Sequence, residues 1–505
     1  KPERRLNSMK LIEVLKNVNV KKILGNENIE IKGIAINSIK AKNGYIFVAI
    51  PGFKRDGHDF AIDAILNGAK ALIVQKCNKN ITQVLVDDCR QELPRLCNNF
   101  YNNPTSKIKL VGVTGTNGKT TTVYLINSIF KASGLKTSFI TTVESEILGE
   151  RVIFDRTTPE SNDLNEFFYK SLSKGVNAAA MEVSSHSIDL HRVDWLNFHS
   201  FTFTNLTQDH LDYHENMENY FSVKKRLFEN KFRNLYGVKF AAINADDIYG
   251  RQIISASDLK CITFAINNKS ADIIAQKVSN SINGIKMNIA LKPKTTGYID
   301  YKCNFSITSP LCGLFNVYNI LAAIATSLLA EIDIESIKKG ISEMNGVNGR
   351  FEKIKVNKKI NAIVDYAHTP DGLENVLKTA KSLLNNENKL ITVFGCGGDR
   401  DKKKRKLMGE IAAALADFTV ITSDNPRTED PIAIIEMIEE GFKQYGRSNY
   451  MIEEDRKKAI FKALEMASNG DIVLVAGKGH EDYQEFANKK IHFSDQEIIR
   501  QWGND

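Results

Sequence analysis

The 505-residue chain contains no apolar run of about 18 residues, so it offers no membrane-spanning helix. Cysteine is scarce, with seven scattered at Cys77, Cys89, Cys97, Cys261, Cys303, Cys312 and Cys396. None forms a C-x-x-C pair, which excludes a disulfide scaffold and a cysteine-based zinc site and points to a reducing compartment. Ten prolines and 31 glycines are too few for collagen or low-complexity disorder. No unit recurs with a period of about 20–50 residues, so a repeat solenoid is excluded. An excess of one charge is also missing: 68 basic residues face 60 acidic ones, a net +8. A nucleic-acid binder concentrates its charge. Here the densest run, Lys402-Lys403-Lys404-Arg405-Lys406, reads mostly as a solvated helix start, and the rest suits an anionic small substrate better than a nucleic acid. Residues 1–8 lack the apolar core of a signal peptide and read as an expression remnant ahead of a natural start at Met9.

What is present is an ordinary globular balance, 42% hydrophobic and 25% charged. At roughly 100–200 residues per domain the length predicts about three to four domains. Such a chain can bury several cores without disulfides. In the first region, 9–106, residues 45–50 read as a strand, 60–68 as a helix and 71–74 as a second strand. The polar stretch 98–104 reads as a linker. A second region, 107–345, opens on the apolar strand 110–113. Val123, Ile126, Ile129 and Phe130 then recur at helical spacing until Gly134 stops the helix. In the third region, 346–505, strands at 363–364, 390–394, 418–421 and 472–475 alternate with helices at 372–384, 407–416, 432–445 and 456–468. Such alternation predicts a parallel, doubly wound sheet.

Between strand 110–113 and its helix lies Gly115-Thr116-Asn117-Gly118-Lys119-Thr120-Thr121. Strand, glycine loop, Lys-Thr and helix form the layout of a phosphate cradle. Glycines let backbone N–H groups approach phosphate oxygens, and the helix N-terminus favours negative charge. Lys119 can reach terminal phosphates and Thr120 can ligate magnesium. The common G-x-x-x-x-G-K-[ST] spacing needs glycine where this chain has Val113; its glycines are Gly112, Gly115 and Gly118. That variant fits a motor NTPase or a GTPase poorly.

The loop resembles that of the Mur ligases, the ATP-dependent amino-acid-adding enzymes of peptidoglycan synthesis. The resemblance covers nearly the whole chain. It includes Glu182-Val183-Ser184-Ser185-His186, His191-Arg192-Val193, the run from Thr204 through His210 to His214, and Tyr220-Phe221-x-x-Lys224. Further along are Gly313-x-Phe315-Asn316-x-x-Asn319, Gly349-Arg350-x-Glu352 and Asp365-Tyr366-Ala367-His368-Thr369-Pro370. Within the family, the match is closest to the member that adds a diamino acid to UDP-MurNAc-L-Ala-D-Glu. The fold it implies is α/β in three domains. These are an N-terminal uridine-nucleotide-binding α/β domain (9–106), a central P-loop ATPase-like α/β domain (107–345) and a C-terminal doubly wound Rossmann-like domain (346–505).

An amide ligase must activate a carboxylate as an acyl phosphate, and cations must offset the clustered negative charge. The resemblance implies catalytic roles for Lys119, Glu182, His210 and Lys224, the last as a carbamate. Thr120, Glu182, His210 and carbamylated Lys224 would surround two Mg2+ ions. ATP would meet Gly115, Thr116, Asn117, Gly118, Lys119, Thr120, Thr121, Asn316 and Arg350. The UDP-substrate would meet Ile36, Ser38, Phe53, Lys54, Arg55, Thr157, Thr158, Ser184, Leu190 and Arg192. This chain departs from the family at Asn37 and Ile39, where an acid and a base are usual, and at Leu190, where glutamine is common.

The loops 395–400, 423–427 and 476–481 follow predicted strands, where ligands of an open α/β sheet sit. They offer Arg400, Asp424, Asn425, Pro426, Arg427, Gly477 and Glu481, a mixture suited to a zwitterion with two carboxylates and two ammonium groups. Asp424-Asn425-Pro426-Arg427 resembles the family's signature for meso-diaminopimelate. Arg427 would read the distal carboxylate through two parallel hydrogen bonds, and lysine would leave it buried and unpaired. The enzyme so implied is a cytoplasmic monomer of cell-wall biogenesis that uses ATP and Mg2+ and binds no nucleic acid. Other readings stand beside it: the same reaction with meso-lanthionine or L-lysine, a folylpolyglutamate synthase-type ligase, and a phosphate-loop regulatory or nucleic-acid-binding protein.

Overall fold

The computed structural model describes residues 8–52, 55–76, 81–154, 156–292, 304–356, 359–487 and 489–504. It divides into two units: Lys1–Gln276 with Ile289–Phe305 and Tyr318–Ile341, and Lys277–Asn288 with Ser306–Val317 and Ser342–Asp505.

Among the described residues the first unit holds two large sheets beside the short antiparallel pair Met9–Lys10 and Glu30–Ile31. In the first sheet, successive strand residues face opposite sides, so a strand buried throughout needs a layer on each face. Ile46 and Val48 join Ile73, Val84, Leu93 and Leu96 in one core. Phe47 and Ala49 join Leu72, Val74, Ala61 and Ala64 in another. The covering layers are helices Cys89–Phe100 and Ala61–Leu66. Strand order is Val20–Leu24, Thr82–Val86, Ala71–Val74, Tyr45–Val48, Gly33–Ala35; the last four run parallel and the first antiparallel. The stretch 98–104 differs from the expected linker. Asn98, Asn99 and Phe100 finish the helix, because Phe100 and Tyr101 are buried in the core and outweigh the polar, turn-rich local signal.

In the second sheet the strands Thr137–Ile140, Ala178–Glu182, Lys109–Thr114, Phe198–Phe203, Phe240–Asn244, Lys260–Ala265 and the start of Ile273–Ser281 lie side by side and parallel. Ser145–Ile147 and Glu150–Val152 extend one edge antiparallel. From the central strand Lys109–Thr114 the chain goes first to one side and later to the other. Such a reversal leaves a crevice at the carboxyl ends of the strands. Register pairs Glu182 with Val113 and Phe203 with Thr114, so these ends are level.

The second unit carries the sheet Glu352–Ile354, Asn361–Asp365, Ile472–Ala476, Leu390–Phe394, Phe418–Ile421, Tyr450–Ile452, parallel except for its first strand. Helices Pro370–Ser382, Lys403–Leu415 and Pro431–Tyr445 bury Leu377, Met408 and Ile438 against one face. Helices Arg456–Met466 and Asp495–Asn504 bury Ile460 and Ile499 against the other. This is the doubly wound arrangement expected of the third region. The basic run is not wholly solvated. Arg405 is fully buried and paired with Glu429 through two bonds of 2.8 and 2.9 Å, which draws the helix start back to Lys403. Among the described residues, five cysteines are free and no helix is long and apolar enough to cross a membrane. Cys77 and Cys303 lie outside the described residues.

Candidate active site

The glycine loop leaves the central strand at Thr114 and enters the helix Lys119–Ala132. Gly115 takes φ +147° and Gly118 φ +84°, conformations open to glycine without strain. A Cβ at Gly115 would lie 2.0 Å from Thr204 Oγ1, so the loop presses against the end of the neighbouring strand. The Lys119 ammonium donates to the carbonyls of Gly115 (3.1 Å) and Thr116 (2.7 Å). Thr116 Oγ1 donates to the Thr207 carbonyl and lies 3.2 Å from the Tyr220 hydroxyl. Asn117 N–H donates to Asn205 Oδ1 at 2.9 Å. Thr121 is buried on the first helical turn.

Glu182 ends its strand buried, 1% exposed, one strand over from the loop. Thr120 Oγ1 donates to it at 2.7 Å, and Thr142 donates from its N–H at 2.9 Å and its hydroxyl at 3.2 Å. Thr142 was not legible as a site residue, because it follows an undistinguished strand and reaches Glu182 only in three dimensions. Thr142 Oγ1 also lies 3.1 Å from Thr157 Oγ1. Thr158 Oγ1 donates to the Glu182 carbonyl and lies 3.4 Å from Ser184 Oγ. Arg192 donates to the Thr158 carbonyl at 3.1 Å and pairs with Glu160, which also gathers Arg156 and Arg90. Thr157, Thr158, Ser184 and Arg192 are thus assembled around Glu182. Leu190 caps the short helix Ser185–Asp189 that Ser184 begins.

Lys224 in isolation reads as part of a solvated basic face, and the structure overturns that. It is 1% exposed, and its amine donates to the Gly115 carbonyl at 3.0 Å and to Thr114 Oγ1 at 3.4 Å. Burial pushes its pKa well below the ordinary lysine value, the Lys119 charge pushes the same way, and Asp209 opposes. Two lysine amines therefore converge on one carbonyl, Gly115 O. His210 follows the adjacent strand in a left-handed conformation, φ +54°, with its ring 4.9 Å from that of His186. Burial lowers its pKa, the charge on Asp209 opposes, and His186 and Lys119 add to the lowering.

On the first sheet Ser38 is buried in the turn Ser38–Lys40, where its carbonyl accepts from Asn67. Ile36 packs partly into the core and Arg55 is exposed. Phe53 and Lys54 lie outside the described residues. At the two departures, Asn37 caps that turn by accepting from Ile39 N at 3.0 Å, and Ile39 is 84% exposed.

Asn316 and Arg350 belong to the second unit. Asn316 donates to the Cys312 carbonyl, and Arg350 stacks 4.8 Å from the Tyr366 ring. In the same unit three loops follow the strand ends Phe394, Ile421 and Ala476. Lys478, fully buried, joins them: its amine reaches Asn425 Oδ1 (3.0 Å), Glu481 (3.3 Å) and Asp424 (3.4 Å). Asn425 Nδ2 donates to Glu481 at 2.9 Å, and the backbone at Gly477 lies against Asp424. Gly398 packs on the Pro426 carbonyl, and Arg400 is exposed. Arg427 departs from expectation. Its guanidinium is 21% exposed and already paired: Nε donates to Glu485 at 3.0 Å and a terminal nitrogen to the Gly398 carbonyl at 2.7 Å. Glu485 lies 58 residues away, and no local signal marked it.

Family profiles match three stretches of the chain: one described as the Mur ligase family catalytic domain over 30–105, the Mur ligase middle domain over 113–327, and the Mur ligase glutamate ligase domain over 349–479. The chain is 42% identical over 497 residues, 98% of each chain, to the UDP-N-acetylmuramoyl-L-alanyl-D-glutamate–2,6-diaminopimelate ligase of Caldanaerobacter subterraneus subsp. tengcongensis. It is 41% identical over 501 residues, 98% of this chain and 99% of the relative, to the protein of the same name from Clostridium tetani. A solved structure of a ligase with that name superimposes with a TM-score of 0.71 at 30% identity, covering 99% of both chains.

Proposed function

The chain belongs to the Mur ligase family, and from that premise we propose that it is the ATP-dependent ligase joining meso-diaminopimelate to the D-Glu γ-carboxylate of UDP-MurNAc-L-Ala-D-Glu. The names of its near-full-length relatives support the substrates. One local observation carries the chemistry: Lys119 and Lys224 meet on the Gly115 carbonyl, in the loop that follows the strand beside Glu182.

A γ-carboxylate oxygen attacks the γ-phosphorus of ATP, the bond to the β–γ bridging oxygen breaks, and acyl phosphate and ADP result. The amine of the diamino acid then attacks the acyl carbon. Phosphate leaves with the electron pair of the C–O bond, and the amine gives up a proton. Lys119 offsets charge on the transferring phosphoryl group. Thr120 and buried Glu182 are hard oxygen donors 2.7 Å apart, a set that fits magnesium. When bound, Mg2+ supplies Lewis-acid compensation of phosphate charge. His210 would complete that site, and carbamylated Lys224 would hold a second ion. Burial favours the neutral amine of Lys224, the form able to add carbon dioxide. Nζ bonds the carbon, one C–O π bond opens onto oxygen, a proton leaves, and the neutral amine becomes a carbamate anion.

Thr157, Thr158, Ser184 and Arg192 hold the muramoyl-dipeptide end, Ser38 and Arg55 the uridine end, and Asn316 and Arg350 help bind ATP. The loops of Arg400, Asp424, Asn425, Pro426, Arg427, Gly477 and Glu481 receive the diamino acid. The enzyme works as a cytoplasmic monomer, where ATP and nucleotide-sugar precursors meet. The test is ADP release with the UDP-dipeptide and a panel of meso-diaminopimelate, meso-lanthionine and L-lysine. ADP should appear only when dipeptide and a diamino acid are both present, fastest with the two dicarboxylates. ADP release independent of the UDP-dipeptide refutes the reading.

A further inference from the structure

Reading Arg427 as a sensor of the distal carboxylate assumes a cation that lacks a partner until substrate arrives. The structure supplies a partner. Glu485, on the strand Tyr483–Phe486, accepts from Arg427 Nε at 3.0 Å, and the Gly398 carbonyl accepts from a terminal nitrogen at 2.7 Å. The backbones are tied as well: Arg427 N–H donates to the Glu485 carbonyl at 3.0 Å, and residues 427 and 486 form a bridge. Arg427 is thereby held at φ +51°. The acids of the neighbouring loops, Asp424 and Glu481, face Lys478.

A guanidinium carries five N–H donors in a fixed fork. One on Nε and one on a terminal nitrogen are engaged, which leaves three on the two terminal nitrogens. A carboxylate can still accept from those terminal nitrogens. A substrate without the distal carboxylate, however, no longer leaves an uncompensated cation. Glu485 offsets the charge and attracts a distal ammonium, which lysine and diaminopimelate both possess.

We propose that Glu485 sets how strictly the site demands a distal carboxylate, by giving Arg427 a permanent counter-ion. It acts through Arg427 and is a positioning residue; the inference rests on reading these loops as the diamino-acid site. Glu485→Gln keeps an acceptor for Nε and removes the charge. The test measures kcat and KM for meso-diaminopimelate and L-lysine with UDP-MurNAc-L-Ala-D-Glu and ATP. For a partly exposed ion pair, the preference for diaminopimelate in kcat/KM should rise about two- to fivefold, mostly through KM. In an Arg427→Ala background the same change should leave the preference where it was. A purely structural tie would lower both activities without raising the ratio, so an unchanged or reduced ratio overturns the inference alone. Turnover of neither amino acid by the unaltered enzyme overturns the functional reading and the inference with it.

Discussion

Gly115→Ala should damage this protein at two levels that can be measured separately. Its φ of +147° is a region that side chains rarely adopt, and the added Cβ would sit 2.0 Å from Thr204 Oγ1 and 3.0 and 3.1 Å from the backbone of Asn205. Neither neighbour is free to yield. Thr204 Oγ1 donates to the Asn117 carbonyl at 2.7 Å, and the Asn205 carbonyl accepts from Thr116 N–H at 2.9 Å. Backbone strain of about 1–3 kcal/mol and overpacking of about 1–3 kcal/mol predict a loss of about 2–6 kcal/mol. Gly134→Ala isolates the first cost: φ is +82° there and nothing lies within 4 Å of the added Cβ, so only left-handed strain of about 1–2 kcal/mol remains. Urea midpoints of the three proteins should rank unaltered, Gly134→Ala, Gly115→Ala, at constant slope. The Gly115 carbonyl also seats both Lys119 and Lys224. A displacement of about 1 Å there should slow ADP release by about 100-fold in the folded variant, while Gly134→Ala keeps its rate. Equal midpoints for the two variants, or near-normal ADP release from Gly115→Ala, would refute the packing argument.

Lys119→Ala should abolish ADP release and leave the unfolding midpoint close to unaltered, a contribution of several kcal/mol to the transition state; near-normal turnover in a folded variant defeats the assignment. Lys224→Ala should be inactive and partly rescued by formate or acetate, and 13C-bicarbonate should give the unaltered protein a carbamate resonance that the variant lacks. Full activity of that variant without additives would return Lys224 to a packing role. Glu429 gives a pH signature: hydrogen bonding from Arg405 holds its carboxyl down to about 2 from the ordinary 4.5, with burial opposing. A depressed acid stabilises the fold above its unfolded value and loses that contribution as pH falls, so the unaltered protein should lose its stability advantage over Glu429→Gln between pH 4.5 and about 2. Parallel midpoint–pH curves for the two proteins would show that the pair contributes nothing.

The readable parts of the site are those set by short-range rules. A strand followed by glycines and a Lys-Thr helix start is one continuous stretch, and its glycines sit where positive φ or close backbone approach requires them. The parallel sheet of the second unit was legible for the same reason, since strand and helix periods alternate within single segments. The extent of helix Cys89–Phe100 was not. Its last turn is polar and turn-rich in sequence, and the burial of Phe100 and Tyr101 against distant strands decides the matter.

By itself the sequence determined the phosphate loop, the α/β alternation and the residue types that gather at strand ends, because each is a property of neighbouring residues. Only the tertiary structure decided which charges meet. Lys224 lies 109 residues from the carbonyl it contacts, Thr142 is 40 residues from Glu182, and Glu485 is 58 residues from Arg427. The burial of a lysine and the neutralisation of an arginine depend on what packs around them. Those neighbours are fixed by strand order and register, which no stretch of sequence around either residue contains.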